Sequence, residues 1–307
     1  MALNFNGTNI DKVIYNGVEL DKIIYNGVVV YESIDYTRSY FYIQNTTSSD
    51  FTLNLRINAK AVPIEVHFYK VGEGYTNPNT PATTITSTSS KKKLAFSVEA
   101  NKNYVIEFVG GKWEYYSGGE ALFYDHKDCL TKAILGSNCT NAYYQFNNAY
   151  AYGNLTELVY AAAPGSNLGL ANLPNLTKIT FITTPGYFAS INDIGVSEFT
   201  FPESITYAPS IRDCPNLKVV HNYCPIGVGY YAFGYNDSLE HVYMYNYNPT
   251  SNTMVNSTSN GWVKDSNPNV VIHLPKAIGD ITTARNKFGT YFNYIETNKQ
   301  ATVLFDL

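Results

Sequence analysis

The sequence predicts a mainly β protein: an N-terminal β-hairpin module, a β-sandwich, then a leucine-rich solenoid ending in a short helical cap. Three observations carry this. The composition is rich in Tyr, with 28 residues, and only 15% of the chain is charged, against about 25% in ordinary soluble domains. Tyr and Thr favour strands while Asn and Gly favour turns, so such a chain makes many short strands and tight turns. Asn-Gly pairs recur at 6–7, 16–17 and 26–27, and from about residue 121 an L-x-x-L-x-L pattern returns every 20–25 residues or so.

Residues 1–33 hold a tandem repeat, Asp11-Lys-Val-Ile-Tyr-Asn-Gly-Val-Glu-Leu20 and Asp21-Lys-Ile-Ile-Tyr-Asn-Gly-Val-Val-Val30. Asn-Gly between alternating apolar residues is a strong two-residue hairpin signal, because both residues tolerate positive φ. The turns set Tyr15 opposite Val18, Val13 opposite Leu20, Tyr25 opposite Val28 and Ile23 opposite Val30. Ile14 and Ile24 place apolar surface on the other face. Isolated hairpins bury little and are marginal in water. The two apolar faces therefore need a partner, either the chain's own next domain or another protein. Tyr15, Val18, Tyr25, Val28, Ile14 and Ile24 are the candidate anchoring residues for the second case.

From 34 to 120, five stretches alternate at period two: 40–43, 51–57, 64–69, 94–98 and 104–109. With no helical pattern between them they read as a β-sandwich. Residues 76–90 read as a polar loop, and Gly110-Gly111 and Gly118-Gly119 as a boundary.

From 121 to 307 the units align on Leu130, Leu155, Leu176, Val196, Leu217 and Leu239. Three positions on come Ala133, Leu158, Ile179, Phe199, Val220 and Val242; two further come Leu135, Tyr160, Phe181, Phe201, Asn222 and Met244. Such a period predicts a solenoid with one strand per unit, whose core forms only on stacking. Strand alternation turns Lys132, Glu157, Lys178 and Glu198 outward as a ladder of alternating charge. On later rungs the outward positions are Val219 and His221, then His241 and Tyr243, with further Tyr in the turns. His221, His241, Tyr243, Tyr230, Tyr231 and Tyr245 form a candidate binding face, since Tyr gives large contact area at low entropic cost. A chain this rich in Tyr also places Tyr without purpose.

Two parts of the sequence resemble known families. The tandem K-[VI]-[IY]-Y-N-G-x-x-[VL] units resemble the opening of bacteriophage tail, head-fibre and capsid-decoration proteins. The resemblance implies an anchor on other virion proteins. The unit Ala232-Phe233-Gly-Tyr-Asn236-Asp-Ser-Leu239-Glu-His-Val242 resembles the BspA-like leucine-rich repeat of bacterial surface proteins, as do Cys214-Pro-Asn-Leu217 and the strand-end prolines Pro202 and Pro275. Val271–Lys276 and a helical stretch from about 277 to 291 resemble that family's terminal cap.

Other classes have little support. The net charge is −4 and Lys91–Lys93 is the only basic run, so no nucleic-acid partner is expected. No apolar stretch nears the ~18 residues of a membrane span, so no insertion is expected. Residues 1–7 lack the basic and apolar regions of a secretory leader. Cys129, Cys139, Cys214 and Cys224 show no C-x-x-C spacing and read as buried thiols, with no metal site. No nucleophile, metalloprotease, P-loop or dinucleotide motif occurs, so neither catalysis nor a cofactor is expected. The function this predicts is a virion protein of decoration or fibre type, assembled in the host cytoplasm. Its partners would be other virion proteins and a host-surface protein or glycan, with a homo-oligomer as an open alternative. A bacterial surface adhesin is the second class. A carbohydrate-active enzyme, with carboxylates brought together from afar, is the third.

Overall fold

The computed structural model describes residues 3–5, 8–10, 14–15, 18–19, 22–25, 28–32, 34–71, 82–114, 122–123, 125–146, 152–205, 210–224, 232–247, 262–280, 282–283 and 301–307. Short antiparallel pairs come first: β1 (Leu3–Phe5) with β2 (Thr8–Ile10), β3 (Ile14–Tyr15) with β4 (Val18–Glu19), and β5 (Lys22–Tyr25) with β6 (Val28–Glu32). Tyr15 faces Val18 and Tyr25 faces Val28 across their ladders. Ile23 does not face Val30 as expected. A register shift leaves Val30 as an extra residue and sets Ile23 opposite Tyr31, the geometry of a β-bulge. Val13, Leu20 and all side chains before residue 34 lie outside the described residues.

Seven strands follow: β7 (Ser39–Gln44), β8 (Phe51–Ala61), β9 (Ile64–Lys70), β10 (Thr83–Ile85), β11 (Ser89–Val98), β12 (Asn103–Val109) and β13 (Lys112–Glu114). Five lie where alternation places strands. β10 and the start of β11 fall in the stretch expected to be loop, and β13 directly follows Gly110-Gly111. They form two runs, β10-β9-β12-β7 and β11-β8-β13. Aromatic rings join the runs: Phe68 meets Phe96 at 4.9 Å, and Phe41 and Phe108 meet Trp113 edge-on at 5.9 and 5.4 Å.

The remaining strands are β14 (Leu130–Leu135), β15 (Cys139–Phe146), β16 (Glu157–Tyr160), β17 (Asn167–Leu173), β18 (Lys178–Phe181), β19 (Tyr187–Ile194), β20 (Glu198–Phe201), β21 (Val219–Asn222), β22 (His241–Met244), β23 (Val271–Leu274) and β24 (Thr302–Phe305). They form a β-solenoid of about five turns. Both earlier runs continue into it. β14 pairs antiparallel with β7 and parallel with β16, which pairs with β18; β15 adds parallel to β13 and carries β17 and β19. A buried polar cluster sits at this seam. Trp113 Nε1 donates to Ser39 Oγ at 3.2 Å, Ser39 Oγ donates to Asn138 Oδ1 at 2.6 Å, and Asn138 Nδ2 donates to the Phe108 carbonyl at 2.8 Å. These bonds offset the desolvation that burial would otherwise cost. Gly136 is required there, because a Cβ would lie 1.8 Å from the Arg38 carbonyl oxygen.

The repeat register agrees with the spacing of the sequence. Ala133, Leu158 and Ile179 pair in one row and Leu135, Tyr160 and Phe181 in another. Phe199, Val220 and Val242 do the same further on, beside Phe201, Asn222 and Met244. Asn222, which interrupts the apolar pattern, is 1% exposed, and its Oδ1 accepts from the Cys224 amide at 3.0 Å. Asn236 is buried between two turns: its Nδ2 donates to the Ile211 and Phe233 carbonyls and its Oδ1 accepts from the Cys214 amide. All four cysteines are buried thiols.

Two expectations are corrected. The first turns contribute two strands each, not one, because β15, β17 and β19 build a second parallel sheet. The ladder is not continuous: β18 ends one sheet and β20 begins a separate five-stranded one, β20-β21-β22-β23-β24. Phe181, Phe188, Phe199 and Phe201 gather at this junction, with centroids 4.8–6.3 Å apart in the contacting pairs. Ile179 and Phe181, on the last strand before the break, are therefore only partly buried. Of the helix expected from 277 to 291, the described residues show a 3-10 turn over Lys276–Ile278 and helical geometry at 282–283. Residues 281 and 284–300 lie outside them. The chain then returns as β24, a further parallel strand on β23.

Candidate binding face

The five-stranded sheet turns two rows of side chains outward. Alternation along β21 and β22 buries Val220, Asn222, Val242 and Met244 and leaves Val219, His221, His241 and Tyr243 half-exposed. Parallel pairing then stacks like positions. One outward row runs Glu198, Val219, His241, Val271, Thr302, and the next Thr200, His221, Tyr243, His273, Leu304.

The second row is a column of parallel rings. His221 stacks on Tyr243 at 5.0 Å and 9°, and Tyr243 on His273 at 4.2 Å and 12°. Beside it Tyr223 stacks on Tyr245 at 4.3 Å. Neighbouring strands are about 4.8 Å apart, so rings standing on successive strands meet face to face. Aromatic faces are consumed within the column. What the column turns outward is its edge, where the imidazole nitrogens of His221 and His273 already have partners within the face.

Hydrogen bonds fix these edges. His221 Nε2 lies 3.3 Å from Glu198 Oε1, and its Nδ1 lies 2.9 Å from the Tyr245 hydroxyl. Glu198 accepts from Nε2–H of a neutral His221, so Nδ1 accepts from Tyr245. Burial, then the hydrogen bond to Tyr223 and the nearby phenols and Glu198 charge, hold the Tyr245 hydroxyl above its ordinary range. It therefore stays protonated and able to donate. His273, nearly buried, has Nδ1 2.9 and 3.0 Å from the two Asp306 oxygens and Nε2 3.1 Å from Nδ1 of His241.

Of the residues that the sequence nominated, this face brings together His221, His241, Tyr243 and Tyr245. Tyr230 and Tyr231 lie outside the described residues, as do the side chains of Tyr15, Val18, Tyr25, Val28, Ile14 and Ile24. Tyr223, one of the further Tyr read in the turns, joins the face; His273 and Asp306 complete it and were not nominated. Glu198, expected to end the charge ladder beside Lys178, instead pairs with His221. The ladder break removes it from Lys178.

Elsewhere Glu107 is buried with Arg38 at 2.8 Å and His67 at 3.1 Å. Arg38, partly exposed, also pairs with Asp35 at 2.7 Å. Among the described residues no group of three or more His, Cys, Asp or Glu side chains is placed to hold a metal ion. No protein-family model, curated protein or solved structure matches the chain.

Proposed function

We propose that the chain is a virion accessory protein of decoration or fibre type. In this reading the N-terminal hairpins attach it to other particle proteins. The β-sandwich and BspA-like leucine-rich repeats, ending in a capping segment, then present the His/Tyr face to a host-surface glycan or protein. The observation that carries the binding role is the ring column itself. Three successive strands stack His221, Tyr243 and His273 in register, the first two half-exposed and the third buried, where a merely solvated surface would need only small polar residues. A row of hydrogen-bonding edges at strand spacing suits an extended ligand rich in hydroxyl or amide groups.

The attachment is tested by deleting residues 1–33. The truncated chain should fold but fail to copurify with particles, and normal occupancy would refute the anchor. The face is tested with Tyr243→Ala on a glycan array and on host cells, where binding should fall at least tenfold. A bacterial surface adhesin is the second reading. The Ala232-Phe233 to Asn236 unit favours it, and it shares the same face.

A further inference from the structure

The same face holds a chain of three groups whose hydrogen-bond directions can be worked out one from another. The Asp306 carboxylate can only accept, so His273 Nδ1, 2.9–3.0 Å away, carries a proton. Neutral His273 then has a bare Nε2. His241 Nδ1, 3.1 Å from it, must be the donor. In neutral His241 this leaves Nε2 bare, and among the described residues that atom has no hydrogen-bond partner.

Now add one proton. It can rest on His241, or the Nδ1 proton can pass to His273, which then sits as an imidazolium between Asp306 and His241. In both cases His241 Nε2 has become an N–H. A second proton would place N–H on both facing nitrogens at 3.1 Å and put two like charges in contact. The pair therefore takes up one proton and resists the next. The other titratable or charged groups around it, among the described residues, are Glu198 with His221, Tyr243, Tyr245, Glu240 paired with Lys218, and exposed Lys276. Glu198 is matched to His221, so its charge does not replace that of Asp306.

We infer that the Asp306–His273–His241 chain is a proton-switched recognition point. Before proton uptake it presents a bare nitrogen to hydroxyl or amide donors; after one proton has entered it presents an N–H to carboxylates. The inference rests on the proposed binding role only for its consequence, because the switch itself is read without any ligand. Imidazole is the side chain whose charge changes nearest neutrality, and the arrival of the proton would exchange the preferred ligand chemistry.

The test is long-range proton–nitrogen NMR of the full ¹⁵N-labelled chain, from pH 8 to 4.5. His241 should be the Nδ1–H tautomer at pH 8, and the His241–His273 pair should gain one proton across the range. An Nε2–H tautomer of His241 at pH 8, or two protons entering in one step, would overturn the inference. Either result leaves the glycan-array outcome untouched, so the two readings fail separately.

Discussion

The two ladders of the solenoid share one backbone geometry and fill the same outward rows with opposite chemistry. In the first, β14-β16-β18, one row is Lys132, Glu157 and Lys178, with ion pairs at 3.1 and 2.9 Å. Its other row is Ile134, Val159 and Thr180, of which Ile134 and Val159 are shut away from solvent. In the second ladder these rows become Glu198-Val219-His241 and Thr200-His221-Tyr243-His273. The first ladder satisfies its outward groups internally. The second bonds its column nitrogens to neighbours but leaves His241 Nε2 without a hydrogen-bond partner among the described residues. Parallel stacking is indifferent to what a row contains, provided neighbours match in charge or in ring plane. That freedom lets one end of an array serve stability and the other recognition.

The largest test concerns the shared core. Phe201 is fully buried and Phe181 only partly. Phe201→Ala should cost about 3–5 kcal/mol, the usual loss for a buried aromatic. Phe181→Ala should cost about 2 kcal/mol less, because solvent already reaches it. Denaturant unfolding of the full chain compares them, and equal costs would mean that the ladder break has no energetic meaning.

Next comes the outward row. Tyr243→Ala removes the ring that lies between His221 and His273 and should cost about 1–2 kcal/mol, while Thr180→Ala at the equivalent position should change stability by less than about 0.5 kcal/mol.

The charged row should matter least. Burial pushes the Glu157 carboxyl upward, but Lys178 and Lys132 more than offset this and hold it below its ordinary value. A carboxyl lowered in the folded state stabilises above the pH where it titrates unfolded, about 4.3, and loses that contribution as pH falls through the folded value. Glu157→Gln should cost about 0.5–1 kcal/mol at pH 7, and that cost should fade as the pH falls below about 4.3 and shrink in 1 M salt. Lys178→Ala should cost less still. Burial also pushes the Cys129, Cys139 and Cys214 thiols up to about 12. Iodoacetamide at pH 8 should therefore leave them unmodified until the chain unfolds, as mass spectrometry would show.

The register of both ladders was legible because inward positions three and two residues apart admit one strand phase only. Pairs such as Leu158–Ile179 and Val220–Val242 follow from it. The second sheet was not legible. β17 reads Asn167-Leu-Gly-Leu-Ala-Asn-Leu173 and β19 carries Asn192 and Asp193, compositions that locally favour turns. Stacking overrides that preference. β13 has three residues and follows two glycines, too little for periodicity to register. His221, His241 and Tyr243 could be placed outward from their own strands. His273 sits on a strand that could be read equally well, but its sequence also resembles a cap. Asp306 reaches the face only through β24, and that pairing is set by distant contacts that no local pattern records.

The stretches of chain between the strands of the second ladder differ greatly in length. Phe201 to Val219 and Asn222 to His241 are short beside Met244 to Val271 and Leu274 to Thr302. Yet the ladder passes through all four in one unshifted register. Loop length adds closure entropy only slowly. An insertion between two rungs therefore leaves the ring column where it was. Through such insertions a lineage can change what surrounds the face without disturbing the face itself, so diversification would concentrate between the rungs and spare the strands.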